Sequence, residues 1–237
     1  MTDLSPQDRA KRAAALRAAE MVEGGMKLGL GTGSTAAFLV RRLGERVREE
    51  GLRVTAVATS ERTAALAREV GIKVVGLDEA GWLDLAVDGA DEVDGQFRLI
   101  KGGGGALLRE KIVAAASDRM VVIADEGKRV GTLGAFPLPV EVIPFGWRTT
   151  QRIVEGILAT IDVDGRSAAL RMRGGEAFVT DQGNHVLDLH LGRIGDPEDL
   201  AVVLNGIPGV VENGLFLGMC DALVVGREDG TALVVEA

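Results

Sequence analysis

The sequence predicts an α/β fold: a Rossmann-like, mostly parallel sheet with a smaller, ferredoxin-like α+β domain inserted into it. Three observations point there. Short apolar runs that break into glycine-rich or acidic turns alternate with helical segments from residue 5 to about residue 125. Near residue 130 the texture changes to proline-rich, extended chain, followed by strand pairs and two helices. Glycine supplies 33 of 237 residues, about twice the background of roughly 7%. With no collagen-like period, that excess marks tight turns and close backbone approaches.

Each element has a local cause. Ser5-Pro6 reads as a helix cap followed by the residue favoured in the first turn, and the alanine-rich stretch to Val22 ends at Gly24-Gly25. Met26 to Leu30 is a short apolar strand that breaks into Gly31-Thr-Gly-Ser-Thr35. Ala36 to Glu50 is a helix with apolar Phe38, Leu39, Leu43 and Val47. The unit then repeats as a strand from Val54 to Ala58, a helix to Val70 capped by Ser60, and a strand from Lys73 to Val75. Leu83 to Val87 forms the next strand and ends in Asp88-Gly-Ala-Asp-Glu-Val-Asp94. A strand at Arg98 to Ile100 leads into Gly102 to Gly105, a helix to about Ala116 and the strand Met120 to Ala124. Such alternation implies a parallel sheet covered on both faces.

Pro137-Leu-Pro-Val-Glu-Val-Ile-Pro144 holds three of the six prolines and reads as an extended connector or edge strand. A helix from Arg148 to Thr160 follows, then strands at Ala168 to Arg171 and Ala177 to Thr180. Val186-Leu-Asp-Leu-His-Leu191 alternates, so one face is apolar and the other wet. Asp196 caps a helix from Pro197 to Leu204, and three short strands end the chain. The large domain is expected over 1–129 and 206–237, the small one over 130–205.

Composition narrows the function. A net charge of -8 argues against a general nucleic-acid or anionic-membrane surface. No run of 18 or more uncharged apolar residues occurs, and Met1-Thr-Asp-Leu-Ser-Pro6 is not a basic, apolar leader, so the expected compartment is the cytoplasm. The chain has no Tyr, two His and one Cys. An enzyme of this composition that moves protons must rely on carboxylates and lysines. Cys220 reads as a small buried hydrophobe, and neither CxxC nor HExxH is present, so no metal centre is expected. His185, in a turn, and His190, on the polar phase of its strand, read as surface residues; Trp82 and Trp147 read as packing.

Three polar turns fall at the carboxyl ends of predicted strands, the edge at which an open parallel sheet binds ligands. In Gly29-Leu-Gly-Thr-Gly-Ser-Thr35, glycine amides, two hydroxyls and the start of a helix suit an anion such as phosphate. The spacing is GxGxG and no acidic residue ends the next strand, so a dinucleotide is disfavoured. The run from Asp88 to Asp94 holds four carboxylates in seven residues. A solvated loop is the commoner fate of such a run, but Asp88 directly follows an apolar strand and emerges at its tip. Magnesium would suit oxygen ligands, although nothing in the spacing requires it. In Lys101-Gly-Gly-Gly-Gly-Ala-Leu-Leu-Arg-Glu-Lys111, the same-face neighbours of Glu110 are Ala106, Leu107, Val113 and Ala114, all apolar. Either Glu110 is desolvated, with a raised pKa suited to a general base, or it sits at the edge of the stripe and reaches solvent.

Taken in order, Gly31-Thr-Gly-Ser-Thr, Asp88-Gly-Ala-Asp-Glu, Lys101-Gly-Gly-Gly with Ala106-Leu-Leu-Arg-Glu-Lys111, and Phe136-Pro-Leu-Pro-Val-Glu-Val-Ile-Pro144 resemble the signature blocks of the type A ribose-5-phosphate isomerase family. The resemblance runs from the first helix to Ile207-Pro-Gly-Val-Val-Glu-Asn-Gly-Leu-Phe216. It implies interconversion of ribose 5-phosphate and ribulose 5-phosphate through an enediolate, in the non-oxidative pentose phosphate pathway, with neither metal nor organic cofactor. Glu110 would carry a proton between C1 and C2. Asp88 and Asp91, with Gly89 and Ala90 between them, would contact sugar hydroxyls, help open the ring and move protons between oxygens. Lys101 and the amides of Gly102, Gly103 and Gly104 would offset charge on the enediolate oxygen. Thr32, Gly33, Ser34, Thr35 and Lys128 would hold the substrate, with Ser34, Thr35 and Lys128 nearest the phosphate, and Lys11 matches a phosphate ligand less closely. Leu108 stands where the pattern calls for a polar residue, which bears on helix packing more than on chemistry. The resemblance further implies a sugar phosphate as partner, with no nucleic acid or membrane, and a homodimer or homotetramer. Two alternatives stay open. A related sugar-phosphate deaminase or lactonase is one, although a deaminase would carry a catalytic His and this site region has none. The other is a non-catalytic sugar-phosphate sensor, which needs no Glu110 and usually bears a DNA-binding module.

Overall fold

A computed structural model describes residues 4–237, so the Met1-Thr2-Asp3 portion of the leader reading lies outside the described residues. The chain begins α1 (Pro6–Ala19), β1 (Lys27–Leu30), α2 (Ser34–Glu49), β2 (Thr55–Ala58), α3 (Glu61–Glu69), β3 (Lys73–Val74), α4 (Leu77–Ala80) and β4 (Leu85–Gly89). Next come β5 (Glu92–Val93), β6 (Leu99–Ile100), α5 (Leu107–Ala115), β7 (Met120–Asp125), a 3-10 turn (Glu126–Lys128), β8 (Leu138–Val142) and α6 (Trp147–Leu158). It ends β9 (Ser167–Leu170), β10 (Met172–Arg173), β11 (Glu176–Ala177), β12 (His185–His190), α7 (Pro197–Asn205), β13 (Val210–Asn213), β14 (Leu215–Phe216), β15 (Ala222–Gly226) and β16 (Ala232–Glu236). The predicted caps are present: Ser5, Ser60 and Asp196 each accept a backbone N–H of their own helix. Among the described residues no helix is long and apolar enough to cross a membrane.

The residues divide into two compact units. The first comprises the described residues up to Ala90, together with 109–129 and 219–237. It holds a seven-stranded sheet in the order β16-β15-β7-β4-β1-β2-β3, parallel except for β16. From β1 the chain winds outward through β2 to β3, then returns to β4 on the other side of β1 and continues to β7. That reversal is a topological switch point, where open sheets of this kind bind ligands. The core beneath it is made of β1, β4 and β7 side chains such as Leu28, Leu30, Val87 and Ile123, packed with Leu39, Leu43 and the alanines of α1.

The second unit comprises 91–108 and 130–218. Its four-stranded antiparallel sheet, β13-β8-β12-β9, with α6 after β8 and α7 after β12, has the β-α-β-β-α-β order of a ferredoxin-like fold. A small sheet, β14-β6-β5, and the β10-β11 hairpin complete it.

Several expectations are corrected here. Leu99–Ile100 belongs to the small antiparallel sheet and not to the parallel one, so 91–108 falls in the second unit, as does 206–218. Only β15 and β16 of the last strands join the large sheet. The proline-rich segment is neither connector nor edge: β8 lies inside its sheet and is buried throughout. It tolerates Pro139 because its ladder with β13 ends at the pair Val140–Asn213; beyond that, the Pro139 carbonyl accepts from the Gly214 amide. The wet face of β12 is open only at His190, since Val186 packs with Leu107 and Phe178.

Candidate active site

In the first unit, parallel pairing sets the carboxyl ends of β1, β4 and β7 side by side, Leu30 opposite Val87 and Gly89 opposite Ile123. The turns that follow them, 31–35, 88–90 and 125–128, therefore leave along one edge. Asp88, the penultimate residue of β4, is almost fully buried, and its Oδ1 accepts the Thr32 amide at 3.0 Å and the Gly89 amide at 2.7 Å. The approach is so close that a Cβ on Gly31 would overlap the Asp88 carboxylate. The Thr32 hydroxyl joins Thr59 and Ser60, each at 2.8 Å, and Thr63 donates on to the Gly31 carbonyl at 3.0 Å. This hydroxyl cluster braces the turn from beneath. Sequence reading missed it: Ser60 was legible only as a cap.

Gly33 caps α2 with φ +123° and offers no side chain to the first-turn amides. Exposed Ser34 and half-buried Thr35 stand at the head of this 16-residue helix, an arrangement suited to an anion. Lys128 is half-buried at the end of the 3-10 turn after β7. Lys11 lies on α1 with its ammonium 4.0 Å from Asp8.

Glu110 falls in the first turn of α5. Val113, one turn later, packs so tightly on β1 that a Cβ on Gly29 would collide with it. α5 is the last element before β7 and delivers the chain to the amino end of that strand, so its first turn lies towards the carboxyl edge of the sheet. Glu110 is 4% exposed, which decides between the two readings of its helix stripe: it is buried.

In the second unit, Asp91 Oδ2 accepts the Gly103 amide at 2.7 Å, and a Cβ on Gly103 would lie 2.6 Å from Oδ1. Lys101 is 2% exposed, with its ammonium 5.3 Å from the centre of the Phe216 ring. The acidic run is not a solvated loop, since Asp88, Glu92 and Asp94 are all buried. Two of its four carboxylates are structural. Glu92 accepts the amides of Gly134 (2.7 Å) and Phe136 (2.5 Å), while Asp94 pairs with Arg98 at 2.7 Å and accepts the Gln96 and Arg98 amides.

Two further residues of this unit went unnoticed in the sequence. Arg171, just after β9, donates to the Gly102 carbonyl at 2.8 Å and the Gly103 carbonyl at 3.2 Å, while Asp188 holds its fork at 2.9 and 2.5 Å. Glu141 in β8 is fully buried, and its Oε1 accepts from Thr180 and Asn184, each at 2.9 Å. Burial pushes its pKa up, against the pull of hydrogen bonds from Asn184, Thr180 and the backbone amide of Leu108 in α5. A charged residue on an otherwise apolar strand was the available signal for Glu141. His185, at 3.3 Å from the Phe178 carbonyl and edge-on to Trp147, is half-buried and not on the surface as expected, whereas His190 is exposed.

A Rossmann-like sheet with a helix start suited to an anion, a buried carboxylate at the switch point and a buried glutamate on a crossover helix is the arrangement of an α/β enzyme that acts on a small anionic substrate. A sequence model of ribose 5-phosphate isomerase A (phosphoriboisomerase A) matches residues 55–230. The chain is 68% identical over 228 residues to the ribose-5-phosphate isomerase A of Ruegeria pomeroyi, covering 96% of this chain and 87% of that one. The solved ribose 5-phosphate isomerase A of Methanocaldococcus jannaschii superposes with a TM-score of 0.88 at 41% identity, over 96% of this chain and 98% of its own. A D-ribose-5-phosphate isomerase in complex with phospho-erythronic acid gives 0.88 at 39% identity, over 96% and 97%. The chain belongs to the ribose 5-phosphate isomerase A family.

Proposed function

We propose that this chain is an aldose–ketose isomerase that interconverts D-ribose 5-phosphate and D-ribulose 5-phosphate. Near-full-length identity to isomerases of that name supports the substrate, and burial of a single glutamate on α5 carries the mechanism. In the open-chain aldose, the Glu110 carboxylate takes the proton from C2. The electrons of that bond form the enediolate, and charge grows on O1. Glu110 then returns its proton to C1 while a proton passes from O2 to O1, a transfer assigned to Asp88 and Asp91. The carbon oxidised and the carbon reduced lie in one molecule, so no external electron carrier is needed. Lys101 and the amides of Gly102 to Gly104 offset the growing charge; buried as Lys101 is, its field is little screened by water. Thr32, Gly33, Ser34 and Thr35 at the start of α2, with Lys128 and Lys11, hold the phosphate end, and Gly89 and Ala90 line the sugar.

A coupled assay on ribose 5-phosphate with excess EDTA tests the function and its metal-free chemistry together. Full turnover is expected; no turnover contradicts the substrate, and turnover lost only with the chelator contradicts the mechanism. The same proposal includes a cytoplasmic location and a homodimer or homotetramer. Light scattering on the purified chain is expected to give a multiple of 24.8 kDa, and a mass of one chain contradicts it.

A further inference from the structure

The turn from Lys101 to Gly105 has four successive glycines and no side chain with which to anchor them. Left alone it would sample many backbone states, because glycine restricts φ and ψ least. Its order must come from neighbours. Gly105, at φ +81°, approaches the Phe178 ring so closely that a Cβ there would overlap it, and Gly102 takes φ +102°, but neither feature sets the direction of the peptides between them.

Arg171 does set it. The Gly102 and Gly103 carbonyls both point at its Nη1, 2.8 and 3.2 Å away. In a trans peptide the N–H lies opposite the C=O. The amides of Gly103 and Gly104 are thereby turned away from Arg171, and the Gly103 amide meets Asp91 Oδ2 at 2.7 Å. The guanidinium in turn is gripped by Asp188 through Nε at 2.9 Å and Nη2 at 2.5 Å, with its carbon 5.9 Å from the centre of the Phe178 ring. One planar fork thus uses two nitrogens for its own orientation and the third for two carbonyls, a division that a lysine ammonium cannot make. A hydrogen-bonded chain runs from Asp188 through Arg171 and the Gly102–Gly103 peptide to Asp91, and each bond in such a chain polarises the next.

We propose that Arg171, held by Asp188, is a positioning residue for the isomerisation: it fixes the Gly102–Gly103 and Gly103–Gly104 peptides so that their N–H groups, and Asp91 with them, are oriented before substrate arrives. The inference rests on the function proposed above and adds residues outside the signature blocks. Donors that are already aligned stabilise charge as it develops without reorganising. Misalignment therefore weakens the transition state more than it weakens substrate binding.

The test is steady-state kinetics on Arg171→Met and Asp188→Asn, with circular dichroism to confirm folding and amide hydrogen exchange over residues 101–105. Removing a single oxyanion donor costs about 10²–10³ in turnover, and loss of alignment alone is expected to cost less. For Arg171→Met, kcat is expected to fall about 10- to 100-fold with KM within about threefold, and exchange in the turn to quicken about tenfold or more. Asp188→Asn is expected to move both in the same direction by less. In Arg171→Ala, millimolar guanidinium is expected to restore part of kcat, as it cannot in Arg171→Met, where the methionine fills the space. A folded Arg171→Met with kcat within about twofold of the parent, or a loss confined to KM, overturns the proposal. If the parent itself fails to turn over ribose 5-phosphate, the functional reading is what fails; the exchange rates still decide whether Arg171 orders the turn.

Discussion

Glu141 is a carboxyl group where an apolar side chain would be the cheaper choice. It lies in β8, fully buried, and burial raises its pKa above the ordinary value near 4.5 despite hydrogen bonds from Asn184, Thr180 and the Leu108 amide. The folded protein therefore holds this proton to higher pH than the unfolded chain does. The resulting contribution to stability is complete below about pH 4.5 and is lost as pH rises through the folded value. Glu141→Gln keeps an acceptor for Thr180 and Asn184 but cannot titrate. The melting temperature of the parent relative to this variant is expected to fall as pH rises from about 4.5 towards neutrality; a difference constant across that range contradicts the assignment. At this scale the sequence was most legible where chemistry is local. Asp88 follows its strand and Glu110 follows its stripe, so both could be picked out and both are buried. Arg171 and Asp188 could not, since Arg171 is separated by 17 residues from Asp188 and by 69 from Gly102, and pairing at such range leaves no trace in spacing.

Among the elements, the turn after β1 depends on what its first glycine lacks. The Asp88 carboxylate occupies the space a Gly31 side chain would need, and from there it accepts the Thr32 amide. Gly31→Ala is expected to force these two apart, costing about 1–3 kcal/mol as overpacked sites do, and to reduce turnover because Asp88 must move. Thermal melts and kinetics check both; unchanged stability with unchanged turnover contradicts the close approach. Helices were read well because caps are strong local signals, as at Ser5, Ser60 and Asp196. Two-residue strands were not. Leu99–Ile100 is too short to show a period, and only its partners, β5 and β14, reveal that it is antiparallel. Pro139 misled for another reason. Proline disfavours interior strands, but it fits where one neighbour's ladder has just ended.

For the whole molecule, the proposed function reconciles a net charge of -8 with an anionic substrate locally, by helix amides, glycine amides and a few lysines rather than by the net field. The glycine excess has two uses: some glycines permit close packing, as Gly29 under Val113 and Gly31 beside Asp88, and others present backbone amides, as Gly103 does to Asp91. The alternation of strands and helices was sufficient to foresee the parallel sheet. The division of the chain was harder to foresee, since 91–108 lies between two segments of the first unit yet belongs to the second. With no tyrosine and two histidines, one of them exposed and the other half-buried beside Trp147, the proposed mechanism gives proton transfer to carboxylates, with Glu110 alone carrying the proton between the two carbons. The most direct test is the turnover of Glu110→Gln on ribose 5-phosphate, measured with the affinity for phospho-erythronic acid as a control for an intact site. The account predicts a loss in kcat of at least about 10²–10⁴, as for removal of a general base, with ligand affinity within a few-fold of the parent. A variant that retains turnover within a few-fold would contradict it.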